Sequence, residues 1–462
     1  MSYNPRADDL STPQSPSAFD PSSTAPAAGS APRRAAAGWS APRVTGRLHA
    51  VVSVPGSKSE TNRALVIAAL ADGPSRIRGG LDARDTQLMR DALRELGVDI
   101  TETVDGWQVQ PPEQLAGDAV IDCGLAGTVM RFVPPVAAVA SGQFRFDGDP
   151  AARDRPLEPL LLALADLGAG VSEQATGLPF DLTGRPDLPG GPVLIDAGSS
   201  SQYVSGLLLA GARYQRGVDI RHIGEGPVPS QPHLDMTIAM LREHGVRVDT
   251  AEENRWVVWP GTIEAGNTVI EPDLTNAAAF AAAAAIAGGQ VTITDWPTET
   301  RQAGDRIRQV LTDFGALVEL DGRGLTVTGG GTLTAIEVDL RDAAELTPVV
   351  AALGAVADGT TVITGVGHIR GHETDRLAAL EAEINDLGGK VSQTEDGLRI
   401  EGTDLHGGTF GSYADHRLAH TGALLGLVVP EVVIDDIDCT SKTMPAFPVD
   451  WRTMVEESNR LS

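Results

Sequence analysis

One pattern recurs along this chain and restricts what it can fold into. A helix-like run ends at a glycine, and a short alternating strand, a turn and a second strand follow. The copies are ALRELGVDITETVDGWQVQ, LLALADLGAGVSEQATGLPFDLTG, TIAMLREHGVRVDTAEENRWVVWPG, VLTDFGALVELDGRGLTVTGG and LEAEINDLGGKVSQTEDGLRIEG. Their marker glycines, Gly97, Gly168, Gly245, Gly315 and Gly388, stand where a helix C-terminus calls for a left-handed residue. The separations of 71, 77, 70 and 73 residues are too long for a solenoid and suit a compact α/β unit used several times. A sixth copy falls on RLAHTGALLGLVVPEVVIDD, which supplies helix and strand but a diverged ending. Six units divide into two lobes of three.

At 462 residues the chain is too long for one ordinary core, in keeping with that division. A formal net charge of −26 argues against nucleic acid and against an anionic membrane surface, yet leaves room for a locally positive cleft. No apolar run reaches the ~18 residues of a membrane span. Cys123 and Cys439 are too few and too far apart for a disulfide framework or a zinc site, and they point to a reducing, cytoplasmic setting. Residues 1–40, rich in Pro, Ser and Ala and without the apolar core of a secretory signal, read as a disordered tail.

Lysine is scarce: only Lys58, Lys390 and Lys442 occur. In PGSKSETNRAL, Ser57 is placed to cap a helix and Lys58 falls in its first turn, where the helix dipole disfavours a cation unless an anion is near. Ser59 and Arg63, four apart, share a face. DCGLAGTVMRFVPP repeats the logic, with Gly127 allowing close backbone approach, Thr128 or a neighbour as cap, and Arg131 one turn in. DAGSSSQYVSGLLLAG carries more hydroxyls than one cap needs, so Ser200, Ser201 and Gln202 suit a polyhydroxylated or phosphorylated ligand. Ser230 has a similar place before its own helix. In the second half Glu345 opens an apolar helix, and Glu373 and Arg376 are spaced for an ion pair on one helical face. His416 and Arg417 begin another helix, and Lys442 lies in a polar loop. With Arg155, these cations describe a local anion-binding cleft in an acidic chain. A P-loop is excluded because the Gly-Lys-Ser/Thr order is absent.

PGSKSETNRAL, GLAGTVMRF, SSSQY, HETDRL, ADHRLAH and CTSKTMPAFP, in that order, resemble the 5-enolpyruvylshikimate-3-phosphate (EPSP) synthases of the enolpyruvyl transferase family. The resemblance implies an α/β (α+β) fold of two lobes, each of three βαβαββ repeats, arranged as an inside-out α/β barrel. One lobe would span 57–270, and 41–56 with 271–462 would form the other. The implied reaction moves the enolpyruvyl group of phosphoenolpyruvate to the 5-hydroxyl of shikimate 3-phosphate by addition–elimination, with no metal or other cofactor, in a monomer. By the same resemblance, shikimate 3-phosphate would meet Lys58, Ser59, Arg63, Ser200, Ser201, Gln202, Ser230 and Glu345. Phosphoenolpyruvate would meet Lys58, Gly127, Arg155, Gln202, Arg376, Arg417 and Lys442. Glu345 would take the hydroxyl proton, and Glu373 with Lys58 would handle the proton at C3.

Several positions depart from the family's commoner pattern. Glu345 stands for an aspartate, His372 for a lysine, His368 and Leu125 for asparagines, and Phe132 for a proline. His372 is expected at the substrate, and if it must be protonated to bind, affinity for shikimate 3-phosphate falls as pH rises. Glyphosate competes with phosphoenolpyruvate in many family members, and Gly127, alanine in some tolerant forms, is retained here. The sister transferases acting on UDP-N-acetylglucosamine carry a loop cysteine that Cys123, lying before the Gly-Leu-Ala-Gly-Thr turn, does not match.

Overall fold

The computed structural model describes residues 38–461. The tail expected over 1–40 lies mostly outside them, but its last three residues do not: within them Trp39–Ser40 is a strand, paired antiparallel with Val433 and Ile434. All five marker glycines have positive φ, between 75° and 103°, and each follows its helix with a single residue between. The helix–glycine–strand reading is therefore a property of the backbone.

Six sheets are present among the described residues, five of four strands and one of three. The four-stranded sheets share one plan: a parallel pair, then a hairpin returning antiparallel. In one of them Ala119–Asp122 runs parallel to Gly142–Asp147, which pairs antiparallel with Phe180–Gly184, and Gly170–Val171 completes the hairpin. Strands such as Phe180–Gly184 and Gly191–Ile195 alternate buried and exposed, as sheets covered on one face do. In the sixth sheet the hairpin is missing and Trp39–Ser40 takes the place beside Val432–Ile434, which accounts for the diverged ending.

The buried apolar side chains separate into two clusters. One lies within 64–270; the other gathers Leu48, Val52 and Val54 with residues of 274–455. Each is built around three almost wholly buried helices: Lys58–Leu70, Gly127–Ala137 and Ser201–Gly211 in the first, Leu274–Ala287, Thr347–Val356 and His416–Gly426 in the second. Small residues let these helices approach closely. A Cβ on Gly206 would come 2.2 Å from the Arg131 carbonyl oxygen, so only glycine fits there.

The chain passes between the clusters twice, and the two crossings are bonded to each other. Gly56 bridges Pro272, Ser57 N–H donates to Glu271 O at 2.8 Å, and Asp273 N–H donates to Pro55 O at 2.9 Å. This short ribbon leads directly into two helix N-termini, those at Lys58 and Leu274.

Candidate active site

Each of the six buried helices presents its N-terminal end, or the turn just before it, to one cavity. The lining includes Lys58, Thr128, Gln202, Thr275, Glu345 and Arg417, one from each. Unpaired N–H groups at helix starts carry partial positive charge, so six converging starts favour an anion. Local sequence sets these starts. Ser57 caps the first helix through Glu60 N–H, Ser200 caps through Gln202 N–H, and Asp273 and Asp415 cap theirs through side-chain oxygens. Of the alternatives Thr128 or a neighbour, the N-cap position falls to Ala126, which makes no side-chain cap bond, and Thr128 Oγ1 accepts from Asn62 Nδ2 at 2.7 Å.

Of the expected site residues, Lys58, Ser59, Gly127, Arg155, Ser200, Gln202, Glu345, His372, Glu373 and Arg417 line this cavity. Arg376 and Lys442 lie just behind it, bonded to Glu345 and Glu373. Arg63, Ser201 and Ser230 do not line it. Arg63 is buried, donating to Thr237 Oγ1 at 2.7 Å and to the carbonyl oxygens of Ser59 and His233. Ser201 is buried in its helix, and Ser230 holds a left-handed N-cap position with no side-chain cap bond.

The second cluster contributes a dense ionic network. Arg376 Nε meets Asp415 at 2.6 Å, and its terminal nitrogens meet Glu345 at 2.7 Å and Glu373 at 3.1 Å. Arg417 also pairs with Glu345, and Lys442 Nζ donates to Glu373 at 2.6 Å. His372 Nδ1 lies 3.2 Å from Glu345. Two expectations are corrected here. Glu373 is not on the helix but in the turn before it, because Asp375 caps a helix beginning at Arg376. Lys442, expected in a polar loop, is instead the last residue of a short 3-10 turn and is 5 % exposed.

Burial opposes charge on Glu345, but the Arg376 and Arg417 guanidinium groups overcome it and hold the carboxyl well below its usual range. Burial likewise opposes charge on Glu373, and Lys442, His416 and Arg376 overcome it. For Arg376, the burial cost is outweighed by Asp415, Glu345 and Glu373. Burial pushes His233 and His368 down to about 4, which keeps them neutral at pH 7.

The first cluster is different. Arg131 donates to the carbonyl oxygens of Gly127 and Pro156, and Arg155 to that of Leu125. No carboxylate partner within ion-pair distance is found for either among the described residues, and the Nε of each is buried without a partner. Burial, then the neighbouring Arg155, lowers Arg131 to about 10. Two adjacent guanidinium groups without a carboxylate partner among the described residues, beside the N-terminus of helix Gly127–Ala137, leave this end of the cavity positively charged.

Arg131, His233, Asp273 and Gln302 also line the cavity and were not among the expected contacts. Arg131 was visible one turn after Gly127, His233 follows Ser230 by three residues, and Asp273 is a capping residue before an alanine-rich run. Gln302 carries no local signal.

Two cores of repeated α/β units face one cavity lined by cations and helix N-termini, the architecture of an α/β enzyme with a cleft suited to anions. A family model for EPSP synthase (3-phosphoshikimate 1-carboxyvinyltransferase) matches residues 42–451, and the chain belongs to that family. Two solved structures of EPSP synthase from Acinetobacter baumannii share the fold, with TM-scores of 0.71 and 0.70 at 24% identity, covering 90% of this chain and 97% of theirs. The enzyme transfers the enolpyruvyl group of phosphoenolpyruvate to the 5-hydroxyl of shikimate 3-phosphate and releases phosphate, a step of the shikimate pathway to chorismate and the aromatic amino acids.

Proposed function

We propose that the cavity is where this transfer occurs, and that the uncompensated pair Arg131 and Arg155, opposite the Arg376–Arg417–Lys442 group, holds the phosphate and carboxylate of phosphoenolpyruvate. The single observation that carries this reading is the pair's lack of a carboxylate partner in a chain of net charge −26. Arginine's fork suits both anions. Shikimate 3-phosphate lies against Lys58, Ser59, Ser200, Gln202 and His372, with Arg63 beneath bracing Ser59.

The reaction is an addition followed by an elimination. A proton reaches C3 of phosphoenolpyruvate from Lys58 as the 5-hydroxyl adds at C2, Glu345 takes the hydroxyl proton, and Glu373, held ionised, is the base for the C3 proton in the elimination. The tetrahedral adduct then loses phosphate and a proton from C3. Glu345 is a weak base while Arg376 and Arg417 hold it; when substrate anions draw those guanidinium groups away, its basicity rises. The cavity's volume of about 80 Å³ is small beside the roughly 300–1,000 Å³ of small-molecule sites. Admitting two substrates therefore calls for the lobes, 57–270 and 41–56 with 271–462, to part at the ribbon around Gly56 and Pro272.

The protein acts as a cytoplasmic monomer without metal, cofactor or nucleic acid. No helix among the described residues is long and apolar enough to cross a membrane. Mixing the protein with both substrates and measuring phosphate release tests the assignment. Lys58→Ala is expected to abolish release with the fold intact, and normal turnover by that variant would overturn the role given to Lys58.

A further inference from the structure

We propose that Glu383 is a positioning residue for the transfer: its carboxylate clamps the turn 411–415 and so aims Arg417 and, through Asp415, Arg376. This rests on assigning those arginines to phosphoenolpyruvate.

Glu383 lies seven residues after Arg376 on helix Arg376–Asp386, two turns along the same face. It is 2 % exposed and does not line the cavity. Its two oxygens take two donors from one turn: Oε2 accepts from Gly411 N–H, and Oε1 from the Tyr413 hydroxyl at 2.7 Å. Between them, Ser412 N–H donates to Asp435 at 2.8 Å.

The turn needs this support. Tyr413 and Ala414 are consecutive non-glycine residues, both with φ of 55°, a left-handed region that side chains disfavour. Such a conformation persists where its surroundings over-determine it, and it clusters at functional sites. The turn delivers Asp415, the fully buried N-cap of helix His416–Gly426. Asp415 accepts from Arg417 N–H at 2.9 Å and from Arg376 Nε at 2.6 Å. One helix thus grips the turn at both ends, Glu383 before the strained pair and Arg376 after it. If the turn relaxed, Asp415 would shift, and both arginines would lose their aim.

The test compares Michaelis constants for the two substrates in Glu383→Ala, Tyr413→Phe, their double variant, and Glu383→Ala combined with Ala414→Gly. Glu383→Ala should raise KM for phosphoenolpyruvate about tenfold, the scale of one lost charge-assisted hydrogen bond. Tyr413→Phe should raise it less, and the double variant no more than Glu383→Ala alone. Ala414→Gly, which accepts positive φ without strain, should recover part of the loss. KM for shikimate 3-phosphate should hardly move, whereas a merely structural defect would move both constants or neither. If Glu383→Ala folds poorly, Tyr413→Phe carries the test. Unchanged KM for phosphoenolpyruvate in Glu383→Ala and Tyr413→Phe, with a raised value in Arg417→Ala, overturns the clamp and leaves the site assignment standing. Unchanged KM in Arg417→Ala overturns both.

Discussion

Lys442 Nζ lies 3.4 Å from the carbonyl oxygen of Leu125, which is 317 positions earlier in the chain and packed in the other core. The same ammonium donates to Glu373 at 2.6 Å. One cation therefore spans the cleft and helps keep Glu373 ionised. Lys442→Met removes the link and the charge together. Phosphate release is expected to slow by about a hundredfold or more, as when a preorganised charge is lost, with native-like circular dichroism. A rate near that of the wild type would remove Lys442 from the working site.

Gly127 tests the anion pair. A Cβ there would fall 2.9 Å from Arg155 Nη2 and 3.1 Å from Arg131 Nη1. Both are the far ends of long side chains, so Gly127→Ala should fold normally and displace the guanidinium groups instead. KM for phosphoenolpyruvate is expected to rise about tenfold, and any inhibition by glyphosate is expected to weaken with it. Steady-state kinetics with and without glyphosate read both effects.

What the sequence made legible was whatever depends on local backbone chemistry. Gly97, Gly168, Gly245, Gly315 and Gly388 could be read as helix ends because positive φ after a helix selects glycine. Ser57 could be read as a cap because a hydroxyl before an apolar run has a short-range partner. Thr128 escapes such a reading because its hydroxyl answers a residue 66 positions away, Asn62, which no local rule sees. Glu373 reads as helical because its spacing from Arg376 is the same in a turn that leads into a helix. Gln302 was invisible for a similar reason. It bonds Leu274 N–H, Glu271 and the Pro272 carbonyl, all on the crossing segment, so its place in the cavity comes from tertiary packing alone. The spacing of Glu373 and Arg376 suggested an ion pair on one helical face; the buried Arg376 also pairs with the half-buried Glu345, 31 positions earlier, and that contact is a product of the fold.

Glu60 gives the stability a pH dependence of unusual sign. Its Oε2 accepts from Glu271 N–H at 3.0 Å on the crossing ribbon. Burial, opposed by that bond and aided by the charges of Glu271 and Glu243, raises its pKa from 4.5 to about 7. Between those values the folded protein binds more protons at Glu60 than the unfolded chain does. This contribution to stability is therefore full below pH 4.5, falls as pH rises, and is lost above pH 7. Glu60→Gln keeps an acceptor for Glu271 N–H without the charge. It should stabilise by roughly 1–3 kcal/mol at pH 8 and have little effect at pH 4.5. Urea unfolding at the two pH values decides, and an equal effect at both would refute the assignment.

Gly206 ties core packing to the cavity. It sits in helix Ser201–Gly211 against helix Gly127–Ala137, and an added Cβ would stand 2.2 Å from Arg131 O and 3.1 Å from its carbonyl carbon. These are backbone atoms, so no rotamer change relieves the contact and the helices must separate. Both helices open onto the cavity, and Arg131 itself belongs to the anion pair. Gly206→Ala should cost about 1–3 kcal/mol, the range for overpacked cores, and should also raise KM for phosphoenolpyruvate because Arg131 moves with its helix. The two effects separate by site: Gly226, where an added Cβ would meet nothing within 4 Å but φ is 77°, lies outside the cavity lining. Gly226→Ala should therefore destabilise by strain alone and leave KM unchanged. If Gly206→Ala lowers the denaturation midpoint with no change in KM, helix separation does not reach Arg131, and the two helices hold the cavity less rigidly than their contact distance implies.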